Sequence, residues 1–139
     1  MNTVQKSLRL PRETALEIEK MAQETGRDFS AVTKDLLAES IKTRRCPGIV
    51  FADGVSGRRA KVAGSGLDVW EVIATYKGVE EGFKRLEKVY HWLTQQQLRS
   101  AVGYYFVYRI EIDELIARNN SWTNKSVFDR YPYLKGDGM

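Results

Sequence analysis

The sequence is poor in the residues that cross-link folds and bind metals. It contains one cysteine, Cys46, and one histidine, His91. A single cysteine excludes a disulfide within the chain, and together with the lack of a signal-peptide apolar region it favours a cytoplasmic setting. The two residues are far apart and have no companion at metal-ligand spacing. We therefore expect no metal site, and a structural role for His91.

The sequence also lacks the motifs of common catalytic folds. The Gly-Ser-Gly at 64–66 has neither the third glycine of a dinucleotide site nor the Lys-Ser/Thr of a P-loop, and it predicts a turn. The carboxylates of Glu111, Asp113 and Glu114 are expected on the ordinary charged face of a short helix. No apolar run approaches the roughly 20 residues of a membrane span. We expect no enzyme activity, no cofactor and no membrane partner.

The overall composition is that of a globular protein with a modest positive charge. Of the 139 residues, 42% are hydrophobic and 29% are charged, which fits one ordinary domain or two small ones. The net charge of +4 permits a polyanionic partner without requiring one.

Side-chain polarity alternates over residues 4–10, immediately before Pro11. A period of two predicts a β-strand with one buried face. Such a strand is not stable alone, because its edges carry unpaired backbone groups, and no nearby segment resembles a hairpin partner. The two sides of this strand are Val4, Lys6, Leu8 and Leu10, and Gln5, Ser7 and Arg9.

Two amphipathic helices are predicted directly after the strand. The first covers residues 12–26, with Pro11 at its start and Gly26 at its end. The second covers residues 27–45, with Asp28 or Ser30 as its N-cap. Their apolar faces consist of Ala15, Ile18, Met21 and Ala22 in the first, and Val32, Leu36, Leu37 and Ile41 in the second.

An alternating strand followed by two short helices resembles the CopG/Arc/MetJ-like ribbon-helix-helix family of DNA-binding proteins. The resemblance covers residues 1–45 and implies an intertwined homodimer. Two chains would pair their strands into an antiparallel ribbon that lies in the major groove of double-stranded DNA. The alternative for an alternating strand is the edge of a larger sheet. The dimer core implied by the resemblance is Leu8, Leu10, Ile18 and Leu36.

The ribbon implies base contacts from Gln5, Ser7 and Arg9, because arginine and glutamine can bind guanine and adenine through two hydrogen bonds. Lys6 departs from the apolar pattern on the other side of the strand. We expect its long side chain to reach solvent or a DNA phosphate.

Further phosphate contacts are expected at the second helix and in a basic loop. The family holds a phosphate at a helix N-terminus, which would be the backbone amides of Phe29 and Ser30 here. Asp28 would repel that phosphate unless it acts as the helix cap. Arg58 and Arg59 belong to a basic cluster that also contains Arg44, Arg45 and Lys61. Asp53 is the only acidic residue that opposes it. The cluster is either a solvated loop or an auxiliary phosphate contact.

The composition changes after Arg45 and becomes glycine-rich. Strand-like runs at 49–51 and 60–63 flank a turn at 52–57. Asp68 and Thr94 are expected to cap two of the helices that follow, and Gly82 lies inside another. Four further helices are predicted at 67–77, 79–90, 94–108 and 111–119.

Two motifs within residues 46–118 resemble DUF433, a family of unknown function with a homeodomain-like helical fold. They are KVAGSGLDVWEVI at 61–73 and VYHWLTQQQLRSAVGYY at 89–105. The family usually has Gly-Thr-Arg and Tyr-Pro where this chain has residues 65–67 and 91–92. Its members occur beside genes for PIN-like toxins, which implies a VapB-like antitoxin. The expected core is Val69, Trp70, Ile73, Leu86, Leu93, Leu98, Ala101 and Tyr105, with Trp92 as a further anchor.

Residues 121–139 combine large apolar side chains with no helical or strand period. Either these side chains fold back onto the preceding domain, or they bind a partner as an extended arm. Antitoxins commonly neutralise toxins through C-terminal segments, and aromatic anchors give large contact areas from few residues. The residues expected to bind the partner are Trp122, Phe128, Tyr131 and Tyr133.

The sequence therefore predicts a mainly α protein with three parts. Residues 1–45 would form the ribbon-helix-helix dimer, residues 46–120 a homeodomain-like helical domain with a short β-hairpin, and residues 121–139 an aromatic tail. We expect a homodimeric repressor that is also the antitoxin of a PIN-like toxin, and the sequence leaves a higher oligomer open. A free-standing transcriptional or nucleoid regulator and a protein-interaction adaptor are the alternatives.

Overall fold

The protein is mainly helical, with one small β-hairpin. The structure is a computed structural model and describes residues 2–54 and 57–121. Six helices and a two-stranded antiparallel sheet make up the regular structure of this part of the chain, which is 63% helical. The chain divides into two compact units, the first ending at Lys42 and the second beginning at Thr43.

The first unit is built on two helices, α1 (Arg12–Thr25) and α2 (Phe29–Arg45). Pro11 directly precedes α1, and Gly26 ends it with a left-handed backbone (φ of 67°) that costs glycine little. Residues 2–11 are neither helix nor strand in the single chain. The predicted strand at residues 4–10 therefore stays a prediction for the paired dimer.

The hairpin at the start of the second unit is longer than the sequence pattern indicated. Strand β1 (Ile49–Gly54) pairs with β2 (Gly57–Val62), and Ile49 lies opposite Val62. Ladder pairing extends through the segment that we expected to form the turn. Residues 55 and 56, at the tip of that expected turn, lie outside the described residues. The hairpin turns Ile49, Ala60 and Val62 into the core.

Four helices follow the hairpin in the described part of the second unit: α3 (Val69–Gly78), α4 (Phe83–Val89), α5 (Gln95–Val107) and α6 (Arg109–Ser121). Asp68 and Thr94 cap α3 and α5 through reciprocal capping boxes with Glu71 and Gln97, which confirms both predicted caps.

The prediction for α4 was wrong at its start. The sequence predicted a helix over 79–90 with Gly82 inside it, whereas α4 begins at Phe83 and Gly82 is its N-cap. Glu80 and Glu81 both have positive φ (59° and 56°), a backbone that interrupts a right-handed helix. The glycine is therefore a boundary between turn and helix.

The core of the second unit lies between the hairpin and the four helices. Helix α3 is its centre and packs against α4, α5, α6 and β2. Val69, Ile73, Leu86, Leu98, Ala101 and Tyr105 are buried as predicted, and Trp70 and Leu93 pack against them half-buried. The sequence did not single out Tyr104 and Ile112, which are fully buried.

Candidate nucleic-acid interface

The N-terminal segment exposes nearly all of its side chains in the single chain. Val4 is 80% exposed and Leu8 is 73% exposed. The expected base-reading residues Gln5, Ser7 and Arg9, and also Lys6, are exposed as well. The segment therefore presents polar and apolar groups together, and the two large aliphatic side chains have no cover within the described part of the chain.

Leu10 connects this segment to the small core of the first unit. It packs half-buried against Ile18, Ala22 and Val32, which are the buried residues of this core. Of the four expected dimer-core residues, Ile18 is thus buried within its own chain, and Leu10 partly so. Leu8 and Leu36 remain open, Leu36 being 36% exposed.

The helices of the first unit also carry a large uncovered apolar surface. Leu37 is 57% exposed and Ile41 is 52% exposed on the face of α2 that we predicted to be apolar. On α1, Leu16 is 53% exposed. Scattered single apolar residues are normal on a surface. This unit of about 40 residues exposes Leu16, Leu37 and Ile41 in addition to Val4 and Leu8, and these five residues are the candidate interface.

The start of α2 is capped by Asp28 and not by Ser30, which lies inside the helix. The Asp28 Oδ1 accepts a hydrogen bond of 2.7 Å from the backbone N–H of Ala31. The Asp28 carboxylate is therefore engaged as the helix cap, which was the condition for a phosphate contact here. The N–H groups of Phe29 and Ser30 belong to the first turn, where a helix supplies no intrahelical partner.

A salt bridge joins the loop before α2 to the helix itself. The Arg27 guanidinium pairs with the Asp35 carboxylate one to two turns into α2. This hydrogen bond raises the pKa of Arg27. The pair lies on the exposed surface beside the Asp28 cap.

The basic cluster of the hairpin is more neutralised than the sequence indicated. Arg58 Nη1 lies 3.4 Å from Asp53 Oδ1 across the hairpin, and its Nη2 donates to the Phe51 carbonyl. Lys61 Nζ lies 2.5 Å from Asp68 Oδ1. The expectation that Asp53 alone opposes the cluster was therefore wrong, because Asp68 caps α3 and holds Lys61 at the same time.

The two tryptophans expected in the core differ in their environments. Trp70 is half-buried, and its indole Nε1 donates a 3.0 Å hydrogen bond to Asp68 Oδ2. Trp92 is 60% exposed, so its prediction as a core anchor was wrong. It contacts Tyr90 and His91 edge to face on the surface.

Two tyrosine–carboxylate pairs hold α5 against α6. Tyr104 Oη donates a 2.7 Å hydrogen bond to Glu111 Oε2, and Tyr105 Oη donates a 2.8 Å bond to Asp113 Oδ1. Burial, followed by the bond to Glu111, raises the pKa of Tyr104. For Glu111 and Asp113, the prediction of an ordinary solvated face was therefore wrong. Tyrosines seven and eight residues before acids were the signal in the sequence.

The remaining potential reactive groups form no site in the described residues. Cys46 is buried, and burial raises the pKa of its thiol. Within residues 2–54 and 57–121, no three His, Cys, Asp or Glu side chains cluster as metal ligands would. None of the helices described combines the length and apolar content needed to cross a membrane. The expected partner-binding residues Trp122, Phe128, Tyr131 and Tyr133 lie outside the described residues.

Comparison with known proteins returned no match: no protein-family model, no curated protein and no solved structure matches this chain.

Proposed function

We propose that the protein is a dimeric DNA-binding repressor that also serves as the antitoxin of a PIN-like toxin and regulates its own operon. In this proposal, residues 1–45 form a ribbon-helix-helix dimer, and residues 46–120 form a homeodomain-like helical domain. The tail at 121–139 supplies the main contacts with the toxin.

The observation that carries the proposal is the incomplete core of the first unit. Its core cluster contains three buried residues, Ile18, Ala22 and Val32. Units of about 40 residues usually need oligomerisation, a metal or disulfides to be stable, and this unit contains no cysteine. A second copy would cover Leu8 and Leu36, and pairing of the N-terminal segments would satisfy their open backbone groups.

The DNA-binding side of the proposal rests on the opposite face of the same segment. Once Leu8 and Leu10 face the dimer core, the strand pleat directs Gln5, Ser7 and Arg9 outward together. A two-stranded ribbon fits the major groove, where arginine and glutamine discriminate between bases.

The phosphate contacts of the proposal are Lys6, the amides of Phe29 and Ser30, and the hairpin arginines. Because Asp28 uses its carboxylate to cap Ala31, the first two amides of α2 are left for an anion. Arg58 and Arg59 would add sequence-independent attraction.

Selection of DNA by the full-length chain tests the repressor proposal. A random duplex library is passed over the protein, and the enriched sites are compared with those enriched by the Arg9→Ala variant. We expect an inverted repeat for the natural chain and a weakened repeat for the variant. Lys20→Ala, an exposed cation on α1, is the matched control and should enrich the same sites as the natural chain. Retention of unrelated duplexes alone would contradict the proposal.

Co-expression with the product of the adjacent gene tests the antitoxin proposal separately. We expect a stable complex that survives purification and suppresses the neighbour's toxicity. DNA selection with no such complex would leave a free-standing regulator, the alternative function.

A further inference from the structure

An apolar groove on the second unit lies apart from every residue assigned a role above. It is lined by Phe83 of α4 and by one face of α5, and encloses about 440 Å³. A Cβ built on Gly103 would meet nothing within 4 Å, so the floor of the groove is open. Phe106 is 56% exposed at its side. The α5 residues that line it are Arg99, Val102, Gly103 and Phe106.

Among the residues that line the groove, Arg99 is the charged one, and the Arg109 guanidinium lies 5.3 Å from the centre of the Phe106 ring at its side. The Arg99 side chain is exposed, and within the described residues no ion pair holds it. An occupant that fits the groove would therefore present a large apolar side chain next to a carboxylate. The sequence after Ser121 contains this combination once, at Phe128-Asp129.

The chain is long enough for that segment to reach the groove. Helix α6 begins three residues after Phe106, and its 13 residues cover about 20 Å. Phe128 follows Ser121 by seven residues, which extend to roughly 23 Å. The extended length of this segment is therefore comparable to the length of α6, which is the distance that a return from Ser121 to the start of α6 has to cover.

We propose that this groove binds the chain's own tail, with Phe128 between Phe83 and Phe106 and Asp129 paired with Arg99. The groove and the tail that it binds belong to the same molecule, and this binding does not depend on a toxin. If the toxin also binds the tail, as proposed above, the groove competes with it for the same aromatic residue.

Trypsin digestion of the full-length chain tests this arrangement, because proteolysis follows the population of the open form. Cleavage after Lys125 and after Arg130 flanks the docked residues on either side, whereas cleavage after Lys135 lies beyond them and serves as an internal reference. We expect cleavage after Lys125 to be several-fold slower than in a synthetic 122–139 peptide. Phe106→Ser should accelerate it about fivefold or more. The matched control Val107→Ser, 52% exposed but outside the groove lining, should leave it unchanged.

Removal of each charge tests the pairing of Arg99 with Asp129. Arg99→Gln and Asp129→Asn should each accelerate cleavage after Lys125, and the double variant should be cleaved no faster than either single variant, because both changes remove the same ion pair. Three results would overturn the proposal: cleavage as fast as in the free peptide, equal acceleration by Phe106→Ser and Val107→Ser, or protection that increases with protein concentration. The last of these would assign the groove to a second copy.

Discussion

At the scale of single residues, three aspartates act as hydrogen-bond acceptors at the ends and contacts of helices. Asp28 caps α2, Asp68 caps α3 and holds both Lys61 and Trp70, and Asp113 receives Tyr105. The sequence indicated Asp28 and Asp68 as helix caps, because a cap pairs with a group a few residues away. It did not indicate the contacts of Asp68 with Lys61 and of Asp113 with Tyr105, which join residues from different elements.

The Asp113 contact predicts a specific loss of stability in acid. The hydrogen bond from Tyr105, helped by Lys77 at 3.1 Å, lowers the pKa of Asp113 below its ordinary value of 3.8. Because the pKa is lowered, the ionised carboxylate stabilises the fold above about pH 4. This contribution disappears as the pH falls through the pKa that Asp113 has in the folded protein. We expect Asp113→Asn to destabilise the second unit at pH 7 by a few tenths to about 1 kcal/mol, and by progressively less as the pH falls below about 4.

Thermal unfolding from pH 7 to pH 2 measures this difference. Glu114→Gln, at an exposed acid on the same helix, is the control and should follow the natural chain throughout. An Asp113→Asn penalty that stays constant down to pH 2 would show that the carboxylate charge is not the stabilising feature.

Arg9 predicts a change in sequence preference. Arg9→Ala should cost roughly 1–3 kcal/mol on the selected site and much less on random duplexes, because a bidentate base contact is lost. The pair Arg58→Gln and Arg59→Gln should instead weaken binding to all duplexes alike and reduce the salt slope by up to about two units. Titrations on both duplexes at several salt concentrations separate the two effects. Equal losses on both duplexes for Arg9→Ala would mean that this side chain only positions the protein.

At the scale of elements, the sequence predicted the helices with local signals and failed where distant contacts decide. Asp68, Thr94 and Gly26 mark helix ends through groups a few residues away, so these boundaries were predictable. The start of α4 depends on two successive positive-φ residues, for which the glutamates gave no signal. The exposure of Trp92 depends on tertiary packing, which apolar spacing alone does not specify.

The candidate interface was predictable in the same partial way. Alternation over residues 4–10 indicates which side chains share a side, but a single chain supplies no partner strand. For the basic cluster of the hairpin, the charged residues are obvious in the sequence. The pairing of Lys61 with Asp68 is not, because it joins two separate segments. Both failures concern contacts between segments that local patterns do not record.

The N-terminal segment gives the sharpest prediction at this scale. Leu8→Asp should abolish dimerisation, because a buried unpaired carboxylate costs several kcal/mol. Ser7→Asp introduces the same group one position away, on the side expected to face DNA. It should leave the dimer intact while weakening DNA binding. Sedimentation of the full-length variants measures the first effect, and a natural chain that sediments as a folded monomer would remove the ribbon interpretation.

At the scale of the whole molecule, the two units differ sharply in how much core each builds for itself. Among residues 2–54 and 57–121, fourteen buried residues form the core cluster of the second unit, against three in the first. We therefore expect the second unit to fold as a monomer, and folding of the first to be coupled to association. A molecule of this kind should not unfold in a single two-state transition.

This asymmetry predicts two thermal transitions with different dependence on protein concentration. For a dimer that unfolds to monomers, each tenfold rise in concentration adds about 1.4 kcal/mol, which for a paired unit of this size raises Tm by roughly 5–10 °C. The transition of the second unit should stay fixed, because no association accompanies it. Calorimetry over a hundredfold range of protein concentration distinguishes the two transitions. Asp113→Asn should lower only the Tm of the second unit, and Leu8→Asp should remove only the concentration-dependent transition of the first unit. If both transitions stay fixed while Leu8→Asp has no effect on either, the first unit is stable without a second copy, and the dimeric repressor proposal loses its physical basis.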